Sequence, residues 1–217
     1  VLELFHGPTM AFKDVAARYL AALMGYFNAK TGRTSTVLVA TSGDTGGAIA
    51  HGFGDVERIK VVVLYPKGRV SQLQQEQLRR VAANVQTLEV DGDFDACQAL
   101  VKQALADTAL VEKVGLTSAN SITVGRLLPQ TLYYARAFAQ LGGRDDLRFV
   151  VPSGNLGNIT GGVLAQHMGI PIASFLAANN ANNAIDQYAR SGAFTPFAAV
   201  PTISNAMDIG APNNLPR

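Results

Sequence analysis

A lysine at position 13 is placed where its amine could act as a nucleophile. Residues 6–18 read HGPTMAFKDVAAR, so Lys13 falls in the first turn of an otherwise apolar helix. The positive end of the helix dipole and the apolar neighbours both disfavour the ammonium form, which should lower the pKa of the amine. Such an amine can form a Schiff base with an aldehyde. The alternative is a surface lysine whose methylene stem covers apolar neighbours, and this segment alone leaves both open.

The first of two glycine-rich segments, TSGDTGG at residues 41–47, could bind an anion. It follows the apolar run TVLVA and opens a helix of small residues. Backbone N–H groups at such a turn attract an anion, and the hydroxyls of Ser42 and Thr45 would add donors. A plain tight turn with Asp44 or Thr45 as the N-cap explains the same residues.

The second segment, PSGNLGNITGG at residues 152–162, favours an anion more strongly. Gly154 and Gly157 let the backbone fold closely around a ligand. The uncharged donors, which suit a phosphate monoester, are Ser153, Asn155 and Asn158. The glycine spacing is not GxGxxG and no GKS or GKT triplet ends the loop, so nucleotides are disfavoured.

A third candidate anion site lies in SANSITVGR, residues 118–126. If a helix begins near Ser121, then Asn120 and Ser121 lie at its N-terminus and Arg126 lies about one turn further on. The guanidinium could then reach the same anion. Helix capping together with a solvated arginine is the alternative.

Composition excludes several classes of function. Lys plus Arg number 18 and Asp plus Glu number 16, so no strong field attracts nucleic acid or a membrane surface. No apolar run reaches the roughly 20 residues that cross a bilayer. The single Cys97 reads as a small buried hydrophobe, and the three histidines lack the spacing of metal ligands. We therefore expect a cytoplasmic protein with no metal, membrane or nucleic-acid partner.

The elements that must position these residues alternate between strand and helix patterns, which predicts an α/β fold. The predicted strands, whose continuous apolar runs are typical of buried parallel strands, are 36–40, 59–65, 85–90, 148–151 and 172–177. The predicted helices are 11–29, 45–53, 71–83, 94–105, 122–141, 159–168 and 181–189, with Ser71 and Asp93 as N-caps. Open α/β sheets bind ligands at the carboxyl ends of their strands. An amine together with two or three anion sites there is what a pyridoxal-phosphate (PLP) enzyme needs.

The motifs HGPTMAFKD, ATSGDTGGAIAHGF, ANSITVGR and PSGNLGNITGG occur in an order and spacing that resemble the threonine synthases. The resemblance covers nearly the whole chain. It implies the fold-type II PLP architecture (tryptophan synthase β-like), with three-layer, open, mostly parallel sheets in two subdomains. A smaller subdomain of about 31–141 would be inserted into a larger one made of 1–30 and 142–217. The resemblance also implies that the chain lacks N- and C-terminal regions, including the partner of the pyridine nitrogen, so we do not expect activity from this chain alone.

The resemblance further implies a role for each motif. Lys13 would bind the cofactor aldehyde and move protons. The residues that would cradle the cofactor phosphate are Gly154, Asn155, Leu156, Gly157 and Asn158. Those that would lie against the cofactor ring oxygen and the substrate carboxylate are Ser42, Gly43, Asp44 and Thr45. The residues that would bind the substrate phosphate are Asn120, Ser121 and Arg126.

The implied reaction converts O-phospho-L-homoserine and water to L-threonine and phosphate, in a monomer or homodimer. A serine or threonine dehydratase, a cysteine synthase-like enzyme and a non-catalytic phosphate-ligand module remain alternatives. Two positions depart from the family pattern. Asp44 stands where many fold-type II relatives have Asn, so its carboxylate needs a proton or a compensating group beside the ring oxygen. Thr123 stands where an Asn is expected.

Overall fold

The fold is built from alternating strands and helices, as the sequence predicts. The computed structural model describes residues 1–41, 43–78, 82–120 and 123–216. The helices within these residues are α1 (Lys13–Thr31), α2 (Asp44–Phe53), α3 (Gln72–Leu78), α4 (Phe94–Ala106), α5 (Thr108–Val114), α6 (Val124–Leu127), α7 (Thr131–Gln140), α8 (Gly157–His167) and α9 (Ala184–Ser191). The strands are β1 (Ser35–Ala40), β2 (Ile59–Pro66), β3 (Val85–Val90), β4 (Leu116–Thr117), β5 (Arg148–Pro152) and β6 (Ser174–Ala178). Short 3₁₀ helices span Leu128–Gln130 and Asn205–Met207. None of the described helices has the length and apolar character that a bilayer crossing requires.

The chain forms two compact units, Val1–Arg126 and Leu127–Arg217. The division expected from the family resemblance, with 31–141 set apart from 1–30 and 142–217, stays a prediction.

The first unit is a three-layer α/β structure around a parallel sheet with the strand order β3-β2-β1-β4. On one face, Val37 and Val39 of β1 and their register partners Val61 and Val63 of β2 pack with α1 and α2, where Phe53 is fully buried. On the other face, Leu38, Ala40 and Leu64 pack with Cys97 and Val101 of α4. Because apolar residues cover both faces, β1 and β2 have the continuous apolar runs seen in the sequence.

The predicted N-caps are both present. Asp93 accepts a hydrogen bond from the Ala96 N–H at 2.9 Å. Ser71 Oγ accepts from the Gln74 N–H at 3.2 Å, and Gln74 Oε1 accepts from the Ser71 N–H at 3.0 Å, which is a reciprocal capping box.

The element prediction fails in two places. The single helix expected over 122–141 is instead α6, a 3₁₀ helix and α7, and the 3₁₀ helix contains Pro129, which lacks the N–H that a continuous helix needs. The sequence analysis also missed α5 and β4. Of the expected helix 71–83, residues 79–81 lie outside the described residues.

In the second unit, β5 and β6 form a two-stranded parallel sheet. Phe149 and Phe175 are register partners, and both contact the ring of Tyr134 from α7. The opposite face differs from the sequence prediction of buried strands, because Val150 is 66% exposed and Leu176 is 61% exposed. Within the described residues, only one face of this sheet is covered.

Candidate functional site

The turn before α1 is tied to the helix by the buried carboxylate of Asp14, the residue after Lys13. Asp14 is 3% exposed, and it accepts hydrogen bonds from the Thr9 N–H at 3.0 Å and the Thr9 hydroxyl at 2.6 Å. A Cβ at Gly7 would lie 2.2 Å from Asp14 Oδ2, so the turn requires glycine there. These contacts explain Gly7 and Thr9 of the HGPT sequence, whose structural role the sequence analysis did not identify. The available signal was a carboxylate directly after the lysine, at the start of a helix.

Lys13 is largely buried, and its amine faces a carboxylate. Its side chain is 17% exposed, and its Nζ lies 3.7 Å from Asp44 Oδ2. Burial lowers the pKa of the Lys13 amine; the negative charge of Asp44 opposes this effect, and the positive charge of Arg126 adds to it. The expectation of a lowered pKa is therefore met, and the alternative of a solvent-exposed lysine is wrong.

Arg126 is buried in the same unit. It is 2% exposed, and its Nη1 donates to the Ala119 carbonyl at 2.7 Å. A solvated arginine was the alternative interpretation of this segment, and it is wrong. A buried guanidinium whose charge acts on Lys13 is a candidate anion-binding group.

The helix that carries Arg126 begins later than the start expected near Ser121. The Asn120 carbonyl accepts from the Thr123 N–H at 3.0 Å, and α6 begins at Val124. Asn120 is half-buried, and its N–H donates to Ser118 Oγ at 3.3 Å. Ser121 lies outside the described residues, so its predicted role is not described by the structure.

The glycine-rich turn before α2 is organised by Thr41. Thr41 is 1% exposed, and its Oγ1 accepts from the N–H groups of Gly43 at 2.9 Å and Gly46 at 2.8 Å. Two of the N–H groups expected to bind an anion are therefore occupied. Gly43 is the N-cap of α2, so the alternative interpretation, a cap by Asp44 or Thr45, is wrong. The N–H groups of Asp44 and Thr45 and the hydroxyl of Thr45 remain as candidate donors. Ser42 lies outside the described residues.

Replacing Thr41 with valine should lower the free energy of unfolding by about 1–3 kcal/mol, because two buried N–H groups lose their acceptor without a change in side-chain shape. Chemical denaturation measures this loss. Thr87→Val on β3 is the matched control, since the Thr87 hydroxyl makes no hydrogen bond among the described residues. Equal losses in both variants would contradict the assigned role of Thr41.

In the second unit, helix α8 begins at Gly157 with no side-chain cap. Leu156 precedes it with a φ of 61°, in the left-handed region. The first-turn N–H groups are therefore left without a side-chain acceptor among the described residues, which suits an anion. A Cβ at Gly154 would lie 2.8 Å from the Met207 Cα, so the 3₁₀ helix Asn205–Met207 packs closely against this loop.

Two side chains and one backbone N–H outside the predicted set hold the loop in place. The Tyr134 hydroxyl donates to the Asn158 Oδ1 at 2.5 Å, and burial raises the pKa of this hydroxyl, which keeps it protonated. Asn155 is held by two residues near the end of the sequence. The Asn213 N–H donates to its Oδ1 at 2.6 Å, and Asn214 Nδ2 donates to its carbonyl at 2.8 Å.

These contacts determine which polar groups of the loop are left to donate to a ligand. Because Asn158 Oδ1 accepts from Tyr134, its amide nitrogen is left to donate, and it has no partner among the described residues. Ser153 differs from its prediction as a donor. Its side chain is 3% exposed, and its hydroxyl donates to the Val151 carbonyl at 2.8 Å.

Each unit thus carries part of what a PLP enzyme requires. The first has a buried amine with a lowered pKa beside a carboxylate and a buried guanidinium, and the second has an uncapped helix N-terminus with a neutral amide donor. Residues 2–217 match the sequence profile of the family described as pyridoxal-phosphate dependent enzyme. The chain belongs to the pyridoxal-phosphate dependent enzymes.

Among the relatives in this family, the threonine synthase of Haemophilus influenzae is 50% identical over 218 residues, covering 100% of this chain and 51% of that protein. The crystal structure of PLP-bound threonine synthase from Brucella melitensis matches with a TM-score of 0.91 at 42% identity, covering 99% of this chain and 47% of that one. The threonine synthase structure from Escherichia coli matches with a TM-score of 0.90 at 48% identity, covering 99% and 50%.

The chain therefore spans about half the length of the threonine synthases that it matches. The resemblance to threonine synthases expected from the four motifs is confirmed, and so is the fold-type II class. The pyridoxal-phosphate cofactor follows from the family.

Proposed function

We propose that this chain carries the reactive lysine and the cofactor-phosphate loop of a threonine synthase, which converts O-phospho-L-homoserine and water to L-threonine and phosphate. The observation that carries the proposal is the buried Lys13 amine, which faces Asp44 and is close enough to buried Arg126 for that charge to lower its pKa. An amine with a lowered pKa beside a fixed guanidinium suits a substrate that has both an acidic C–H bond and a phosphate.

Each unit, taken by itself, has residues that suit one part of PLP. The loop residues proposed to hold its phosphate are Gly154, Asn155, Leu156, Gly157 and Asn158, through the uncapped N–H groups of α8 and the Asn158 amide. The residues proposed to lie against its ring oxygen and the substrate carboxylate are Ser42, Gly43, Asp44 and Thr45. When bound, the cofactor supplies an aldehyde for amines and stores the electrons that broken C–H bonds release.

Lys13 is the proposed proton carrier. Because burial lowers its pKa, the amine is available to remove the substrate α-proton and, after it has passed that proton on, the β-proton. The ammonium formed at each step is stabilised by the Asp44 carboxylate, whose Oδ2 lies 3.7 Å from Nζ. Phosphate then leaves from the γ-carbon; one of the two removed protons is returned to that carbon and the other leaves with the phosphate. Water finally adds its hydroxyl at the β-carbon and its proton at the α-carbon.

Arg126 is proposed to bind the substrate phosphate with Asn120 and Ser121. Its guanidinium is held in one orientation by the Ala119 carbonyl, so it does not have to be ordered when the substrate binds. A serine or threonine dehydratase acts on a substrate without a phosphate and has no need for this group. The buried guanidinium therefore favours threonine synthase over that alternative.

Oligomeric state as a monomer or homodimer, cytoplasmic location and the lack of a nucleic-acid partner stay predictions.

The experiment uses the full-length protein with added PLP, followed by borohydride reduction and peptide mapping. We expect a new absorption band and a pyridoxyl label on Lys13, because burial lowers the pKa of its amine and so favours the neutral form that reacts with the aldehyde. O-phosphohomoserine should then change the spectrum more than L-serine or L-threonine does. A label spread over exposed lysines such as Lys102 would count against the cofactor role, and a stronger response to L-serine would favour a dehydratase.

A further inference from the structure

Gln74 is a buried amide that connects α3 to the turn carrying Asp44. It is 8% exposed, although its neighbours Leu73 and Gln72 on the same short helix are exposed. Its Oε1 accepts from the Ser71 N–H at 3.0 Å, and its Nε2 donates to Asp44 Oδ1 at 2.9 Å. Both ends of the amide therefore make hydrogen bonds, and one of them joins residues that are 30 positions apart in the sequence, Gln74 and Asp44.

The orientation of this amide is determined by its partners. A backbone N–H can only donate, so the carbonyl oxygen of Gln74 must face Ser71 and its NH₂ group must face Asp44. The capping box on α3 needs only the carbonyl oxygen. The hydrogen bond to Asp44 is additional to capping, and a helix-capping role alone does not account for it.

The hydrogen bond leaves Asp44 with a defined geometry. Oδ1 is occupied by Gln74, and Oδ2 is the oxygen that lies 3.7 Å from Lys13 Nζ. Gln74 therefore determines which carboxylate oxygen of Asp44 faces the amine.

The absence of a side chain at Gly43 leaves room for the Gln74 amide. A Cβ at Gly43 would lie 2.3 Å from Gln74 Nε2, and Gly43 has a φ of 144°. A side chain at residue 43 would therefore displace the amide from Asp44. The glycine allows α3 to reach the carboxylate through the turn.

We propose that Gln74 is a positioning residue that holds the Asp44 carboxylate in one orientation, with Oδ2 directed at the Lys13 amine. This proposal rests on the function proposed above, which gives the Lys13 amine its chemical role. Among the residues that the structure describes, the charged groups that act on Lys13 are Asp44 from α2 and Arg126 from α6, and Gln74 contacts the first of them. Gln74 thereby sets how readily the lysine gains and loses its proton.

The test is the titration of Lys13 in the full-length protein prepared without cofactor, by trace acetylation across a pH series and mass spectrometry. In Gln74→Met, Asp44 loses the contact that holds its rotamer, so its negative charge can move away from the Lys13 amine and no longer raises the pKa of that amine as strongly. Lys13 labelling at neutral pH, relative to its own alkaline plateau, should rise by roughly three- to tenfold, since one pKa unit is a tenfold change in neutral amine. Gln72→Met, on the exposed side of the same helix, should leave it unchanged.

A double-variant comparison separates positioning from general damage to the fold. In an Asp44→Asn background, Gln74→Met should no longer change the Lys13 titration, because the group through which it acts carries no charge. If Gln74→Met does not fold, Gln74→Asn gives the same test, since its shorter amide cannot bridge Ser71 and Asp44. Unchanged or slower labelling in the single variant, or the same increase in both backgrounds, would overturn the proposal. The titration needs no PLP, so a failure of cofactor binding is a separate result.

Discussion

Replacing Lys13 with alanine in the full-length protein should reduce turnover of O-phosphohomoserine by at least about 10³–10⁴-fold. The reason is that one amine is proposed both to bind the cofactor aldehyde and to transfer the substrate protons. Lys13→Arg should be equally inactive, because a guanidinium stays protonated in proteins. The measurements are steady-state phosphate release and borohydride labelling, and both signals should be lost together.

The control for this loss is Lys102→Ala, which removes an exposed lysine from α4. This variant should keep both turnover and the label on Lys13. Far-ultraviolet circular dichroism of the Lys13 variants should match that of the parent protein. Turnover within tenfold of the parent after Lys13→Ala would exclude the lysine from the chemistry.

Replacing Arg126 with lysine should lower kcat/KM for O-phosphohomoserine by about 10²–10³-fold. Lysine keeps the positive charge but loses the planar donors that match a phosphate, and it cannot reproduce the hydrogen bond to the Ala119 carbonyl in the same orientation. PLP should still label Lys13 in this variant. The loss therefore identifies substrate-phosphate binding and leaves cofactor binding intact.

The matched control is Arg136→Lys, which changes an exposed arginine on α7. It should retain the parent activity. Inorganic phosphate should inhibit the parent competitively and inhibit Arg126→Lys much more weakly. If the Arg126 variant loses activity while its inhibition by phosphate is unchanged, the guanidinium serves folding and does not bind the substrate phosphate.

Local patterns in the sequence were sufficient for most of the secondary structure. The apolar runs of β1 and β2 and the caps at Ser71 and Asp93 depend on residues a few positions apart, so pattern and propensity determine them. The break at Pro129 was also visible, since proline lacks an N–H, but the helical periodicity on both sides masked it. The exposed outer face of β5 and β6 was not predictable, because apolar content does not say which layer covers a strand.

The motifs likewise determined the family, and they pointed to Lys13 and the loop 152–162 as candidate cofactor sites, because these residues are close together in sequence and their types limit the chemistry. Only the tertiary structure decided how they are held. Gln74 reaches Asp44 across 30 residues, and Asn214 reaches Asn155 across 59. Such contacts depend on which elements pack together, and no local pattern encodes them. The burial of Arg126 has the same origin, since a sequence gives the charge of a side chain but not whether water can reach it.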